Sequence, residues 1–157
     1  MTSTIDVKNE LYANLSDEVR QELAQHEQPL AVARGKSLVR CGAPSDQIII
    51  LNSGSAEITV PAGDKTLSLG IAGPGKVLAL QPVLSGEPSH TNVTCLEDCE
   101  VKLLSKGAFL GVLQRNPQMY FAIVRILSTD LTAADDVIRG HGRVSKSKIH
   151  MAACHLR

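Results

Sequence analysis

A chain of 157 residues, with 43% hydrophobic and 20% charged residues, is long enough for one domain with a real core and has an ordinary globular composition. Sixteen basic and sixteen acidic residues cancel, so no whole-chain field favours nucleic acid or a membrane surface. Aromatics make up 3% of the chain and Trp is absent, which leaves Leu, Ile, Val and Ala to build the core.

The N-terminal MTSTIDVKNE has no apolar centre and no cleavage pattern, and no stretch approaches the roughly 18 apolar residues of a membrane span. A cytoplasmic protein without a membrane partner is expected. Ser16 reads as a helix N-cap, with Asp17 and Glu18 in the first turn and Val19 and Leu23 on one face. That helix should end before Pro29. Short β-rich runs then alternate with turns: Ser37–Arg40, Gln47–Leu51, Ala56–Val60, Thr66–Ile71, Asn92–Leu96 and Cys99–Leu104. Spacings of about 8–12 residues between such strands suggest an antiparallel sandwich or barrel. Alternation in Thr66–Ile71 puts Leu67, Leu69 and Ile71 on the core face. The stretch Gly73–His90 has a phosphate-cradling layout: a Gly-Pro-Gly turn, an apolar run that can start a helix, and a Ser-Gly-Glu-Pro turn.

Beyond Leu104 the pattern is helical. Ser105 caps Lys106–Gln114, and Asn116 before Pro117 marks the start of a longer helix, 117–139, stopped by Gly140 and Gly142. Tyr120, Val124, Leu127, Leu131, Ala134 and Ile138 recur at heptad spacing, and Met119, Ile123 and Ile126 form a second, shorter stripe. One stripe docks the helix on its own barrel. Two either form one wide core face or leave a face for the same helix of a second subunit, and the parallel dimer helix is the expectation taken here. Residues 140–157 form a basic tail: from Arg139 to the end there are five Arg or Lys and no acid. It reads as a solvated, flexible segment, with nucleic-acid contact the less favoured role.

No catalytic constellation is present. There is no Gly-x-Ser-x-Gly elbow, and the five histidines lack metal-ligand spacing. Cys41, Cys95, Cys99 and Cys154 form no CxxC and read as reduced thiols. No enzyme, metal or cofactor is expected, though an unidentified small effector is. In the phosphate-type segment a bidentate Arg would be the natural cation, but no Arg occurs between Arg40 and Arg115. Lys76 is the nearby cation, placed in an exposed turn. Leu78, Ala79 and Leu80 stand where polar contacts are needed. Ser89, His90 and Thr91 can either hydrogen-bond an anion or simply hold a turn.

The run G-x-x-L-V-R-x-G-x-P-S-D-x-I-I-I-L-x-S-G from Gly35 to Gly54 resembles the opening of a cyclic-nucleotide-binding domain. Gly73 to Pro88 resembles its phosphate-binding cassette, in the style of Crp/Fnr regulators. Cys99 to Leu113, then Arg115-Asn116-Pro117 and the long helix, resembles its last strand, B helix and dimerisation helix. The resemblance implies a mainly β fold with flanking helices, a double-stranded β-helix (jelly roll) plus a long C-terminal dimerisation helix. It makes residues 1–139 the sensor domain and the protein a homodimer, or a heterodimer with a full-length relative. Where cyclic-nucleotide binders of the family carry Gly-Glu and Arg, this chain has Leu78-Ala79 and Ser89-His90. The expected function is therefore effector sensing through a degenerate pocket. The alternative is a genuine cAMP or cGMP sensor using backbone N–H groups, Lys76 and Ser89. The family's winged helix-turn-helix does not fit in the residues after the long helix, so no DNA-binding domain is expected.

Overall fold

Ser16 caps helix α1 (Asp17–Ala24), its Oγ accepting the Val19 N–H at 3.3 Å, and Val19 and Leu23 are buried. The computed structural model describes residues 9–142. Eight strands follow α1. They are β1 (Gln28–Val32), β2 (Ser37–Val39), β3 (Gln47–Ser53), β4 (Ala56–Ala62), β5 (Lys65–Ala72), β6 (Val77–Leu78), β7 (Asn92–Cys95) and β8 (Cys99–Ser105). They form two four-stranded sheets with orders β1-β8-β3-β6 and β2-β7-β4-β5, and every pairing is antiparallel.

The run Ile48-Ile49-Ile50-Leu51 in β3 is buried at every position. A strand with one wet face would alternate with polar residues, so an unbroken apolar run means that both faces are covered. Ile48 and Ile50 pack with Leu104 against the helices, and Ile49 and Leu51 pack with Val101, Val93 and Ala56 between the sheets. The fold thus has two apolar layers, one inside the sandwich and one between the first sheet and its helices.

Three local expectations are corrected. Ile71 is not a core residue; it is 66% exposed, while Leu67 and Leu69 are half-buried and Ala72 is buried. Ile58 pairs with Gly70 but Thr59 with Ser68, so Leu69 is an extra residue, a bulge that reverses the alternation after it. Ala56–Ala72, Ile58–Gly70 and Val60–Leu67 share the inward face, and Ile71 falls opposite Glu57 on the outward one. Second, Ser37–Arg40 is not the first strand: α1 ends before Pro29 as expected, but Pro29 then lies within β1, tolerated because β1 is an edge strand of its sheet. Third, Asn116 does not cap the long helix. Its Nδ2 donates to the Val112 carbonyl at 2.8 Å, closing the end of α3 (Lys106–Arg115) instead.

Helix α3 starts at Ser105, whose Oγ accepts the Ala108 N–H at 3.2 Å. Arg115 at its other end pairs with Glu22 of α1, and that guanidinium holds the Glu22 carboxyl below the usual range. Helix α4 (Met119–Gly142) runs on through Gly140 rather than stopping before it. Met119, Ala122, Ile123 and Ile126 bury one side of α4 in the helix layer. The side chain of Ile138 and the tail beyond Gly142 lie outside the described residues.

Candidate functional site

The segment Gly73–His90 forms one wall of a cavity of about 910 Å³. The Gly73-Pro74-Gly75 turn hydrogen-bonds to β3, the Gly75 N–H reaching the Leu51 carbonyl at 2.8 Å and the Leu51 N–H reaching that of Lys76 at 2.9 Å. β6 then pairs with Ile49 and Ile50, and α2 (Leu80–Ser85) follows at once. Between them Ala79 adopts φ 67° and ψ 13°, the one non-glycine residue with positive φ among those described. This left-handed residue turns the chain from strand into helix. A glycine would make the same turn without a Cβ penalty.

The seven candidate residues Lys76, Leu78, Ala79, Leu80, Ser89, His90 and Thr91 all line this cavity. Leu78 and Leu80 are buried on opposite sides, Leu78 between the sheets and Leu80 in the helix layer. Ser89 is buried and its hydroxyl is occupied: Oγ donates to the Thr91 carbonyl at 2.9 Å and accepts the Thr91 N–H at 3.1 Å. Ser89 also exchanges backbone hydrogen bonds with the Gly42–Ala43 turn, at 2.8 and 3.0 Å. The hydroxyls therefore hold a turn. His90 is half-buried beside them.

Lys76 does not project from an exposed turn. Its side chain is 21% exposed, and Nζ pairs with Asp130 of α4 and with Glu10, the latter at 3.5 Å. Glu10 also accepts the Val77 N–H at 2.8 Å, which fastens the N-terminal segment to β6. Glu10 and Asp130 were not legible as site residues. They meet Lys76 across 66 and 54 residues of chain, and no local pattern reports such a contact. Leu127, Leu131 and Ala134, assigned from heptad spacing to the dimer seam, also line the cavity. On the same helix Tyr120, Phe121, Val124 and Leu131 are exposed by 51%, 79%, 59% and 67%.

A second buried cluster lies at the β7–β8 turn. Cys95 and Cys99 are both buried free thiols facing the sandwich interior, and Cys41 is exposed. Burial, helped by the hydrogen bond to Cys99, pushes the Cys95 thiol up to about 11. It is protonated and unreactive near neutrality.

Residues 29–116, more than half of the chain, match the cyclic nucleotide-binding domain family. The chain belongs to that family. The catabolite activator protein of Thermus thermophilus superimposes with a TM-score of 0.72 at 20% identity, covering 81% of this chain and 60% of that one. The sensor domain of the transcriptional regulator DNR from Pseudomonas aeruginosa gives 0.66 at 22%, covering 82% and 87%. At these identities the likeness is one of fold: the jelly roll with flanking helices that Crp/Fnr-type sensor domains share. A curated relative, patatin-like phospholipase domain-containing protein 6 of Pongo abelii, is 28% identical over 99 residues, which is 62% of this chain but 7% of that protein's length. Among the described residues no helix is long and apolar enough to cross a membrane.

Proposed function

We propose that this domain is a non-enzymatic, effector-sensing module of the Crp/Fnr type whose pocket no longer uses cyclic-nucleotide chemistry, and that it acts as a homodimer through α4. The observation that carries the reading is the state of Lys76. It is the one Lys or Arg among the described residues lining the cavity, and Glu10 and Asp130 already hold it. A cyclic phosphodiester would enter without a free cation, and a buried charge without a partner is costly. The Lys76–Asp130 pair also joins the cassette to α4. An effector that moves the cassette therefore shifts the population of α4 positions, and the exposed face of α4 passes this to the second subunit.

Isothermal calorimetry with cAMP and cGMP tests the pocket. No heat is expected at millimolar ligand; micromolar binding would overturn the degenerate-pocket reading in favour of a genuine nucleotide sensor. Dimerisation is supported by the apolar face of Tyr120, Phe121, Val124 and Leu131, whose exposure is unusual for a monomer. Light scattering should give twice the 16.8 kDa chain mass, and Val124→Asp should halve it. A larger complex formed only with a full-length relative would instead favour the heterodimer.

A further inference from the structure

We infer that the cavity takes an uncharged, largely apolar small molecule, its body against the Leu and Ile walls and a single polar group toward His90. This rests on the effector-sensing reading and narrows the class of effector. The volume of about 910 Å³ suits a drug-sized ligand, for which pockets span roughly 300–1,000 Å³. Its walls include Ile58, Leu69, Leu78, Leu80, Val93 and Leu127, contributed by both sheets, the cassette and α4.

The charges explain why the ligand is neutral. Lys76 contributes +1 and Glu10 and Asp130 −1 each, so the lining sums to −1 with histidine neutral. An anion meets net negative charge and loses its hydration without gaining a partner. A cation fares little better, because both carboxylates already face Lys76, and Glu10 accepts the Val77 N–H as well. A neutral apolar molecule meets neither obstacle and gains the burial of its surface, about 25 cal/mol per Å². The Ser89 and Thr91 groups are turned on each other. Of the other polar side chains on the lining, Asn9 accepts the Tyr12 N–H through Oδ1 and Gln81 donates to Ser85 through Nε2, which leaves His90 as the one suited to orient a polar group.

The test uses the full chain and three probes: Nile red, which is neutral, anilinonaphthalene sulfonate, an anion, and cAMP. Wild type should bind Nile red saturably at one per chain, at least tenfold more tightly than either anion. Leu69→Glu, at a half-buried wall position, should weaken Nile red at least tenfold, and Leu30→Glu, on an exposed site away from the cavity, should not. Ala134→Trp, which fills the cavity from the α4 surface, gives the same loss should Leu69→Glu fail to fold. The pair Glu10→Gln and Asp130→Asn frees Lys76 and should raise the affinity for the anionic dye at least tenfold. Equal Nile red binding by wild type and the wall variants, or tighter binding of an anion by wild type, would overturn the ligand class while leaving a sensor pocket in place. Absence of binding by all three probes would remove the sensor reading along with it.

Discussion

Gly54 and Ala79 both sit at positive φ, +93° and 67°, but in opposite surroundings. At Gly54 a Cβ would lie 2.7 Å from the Asp98 carbonyl oxygen and 2.9 Å from the Cys99 Cα, both backbone atoms that cannot swing away. This end of the sandwich has no spare volume: the Ser55 hydroxyl bonds Glu97, the Leu96 N–H bonds Ser55, and the Cys99 thiol bonds the Ser55 carbonyl. At Ala79 the chain accepts the strain of a left-handed alanine beside an open cavity. The turn is organised for packing and the cassette around space. Under the proposed sensing role, the tight turn would hold the two sheets in place while the cassette beside the cavity responds to an occupant.

The largest expected effect follows from the tight end. Gly54→Ala should destabilise by roughly 3 kcal/mol, combining left-handed strain with overpacking, and should lower the urea midpoint without changing its slope. A loss under about 1 kcal/mol would mean that this turn has the slack assigned here to the cassette. The opposite change at the other end is smaller. Ala79→Gly should stabilise by about 0.5–1 kcal/mol, relief of the strain exceeding the added freedom of the unfolded chain. A destabilised Ala79→Gly would show that the Ala79 methyl packs well enough to outweigh its backbone.

The finest test is pH. The Cys95 thiol releases its proton at a higher pH folded than unfolded, with about 11 against an ordinary 9. Its contribution is therefore complete below about pH 9 and declines as the pH rises through 11. The Tyr12 hydroxyl, buried and bonded to Glu27, is raised as well and acts in the same direction. Melting temperatures should fall over that window, and Cys95→Ala should flatten the decline. A pH-independent melt would place the thiol in water and loosen the tight end.

Much of the fold was legible because its patterns are local. Ser16 and Ser105 announce their helices through their own hydroxyls, and the β-rich run Gln47–Leu51 marks a strand that the structure contains. Cassette residues could be named because a Gly-Pro-Gly turn and an apolar run lie side by side. Ile71 was misread because a bulge at Leu69 arises from the pairing of β4 with β5, not from either strand alone. Asn116 was misread because one side chain can cap the helix before it or the one after it, and α3 offered the Val112 carbonyl.

Helix α4 divides most clearly between the two kinds of information. By its spacing alone the sequence determined that this helix carries two apolar stripes and that the preceding strands build a two-layered β fold. Only the tertiary structure decided which stripe docks, with Met119, Ile123 and Ile126 buried and Val124 left outside. It alone brought Glu10, Lys76 and Asp130 together at the cavity. The physical reason is range. Periodicity and capping act within a few residues of chain, whereas the burial of a face and the neutralisation of a charge depend on atoms that folding brings in from far along the chain.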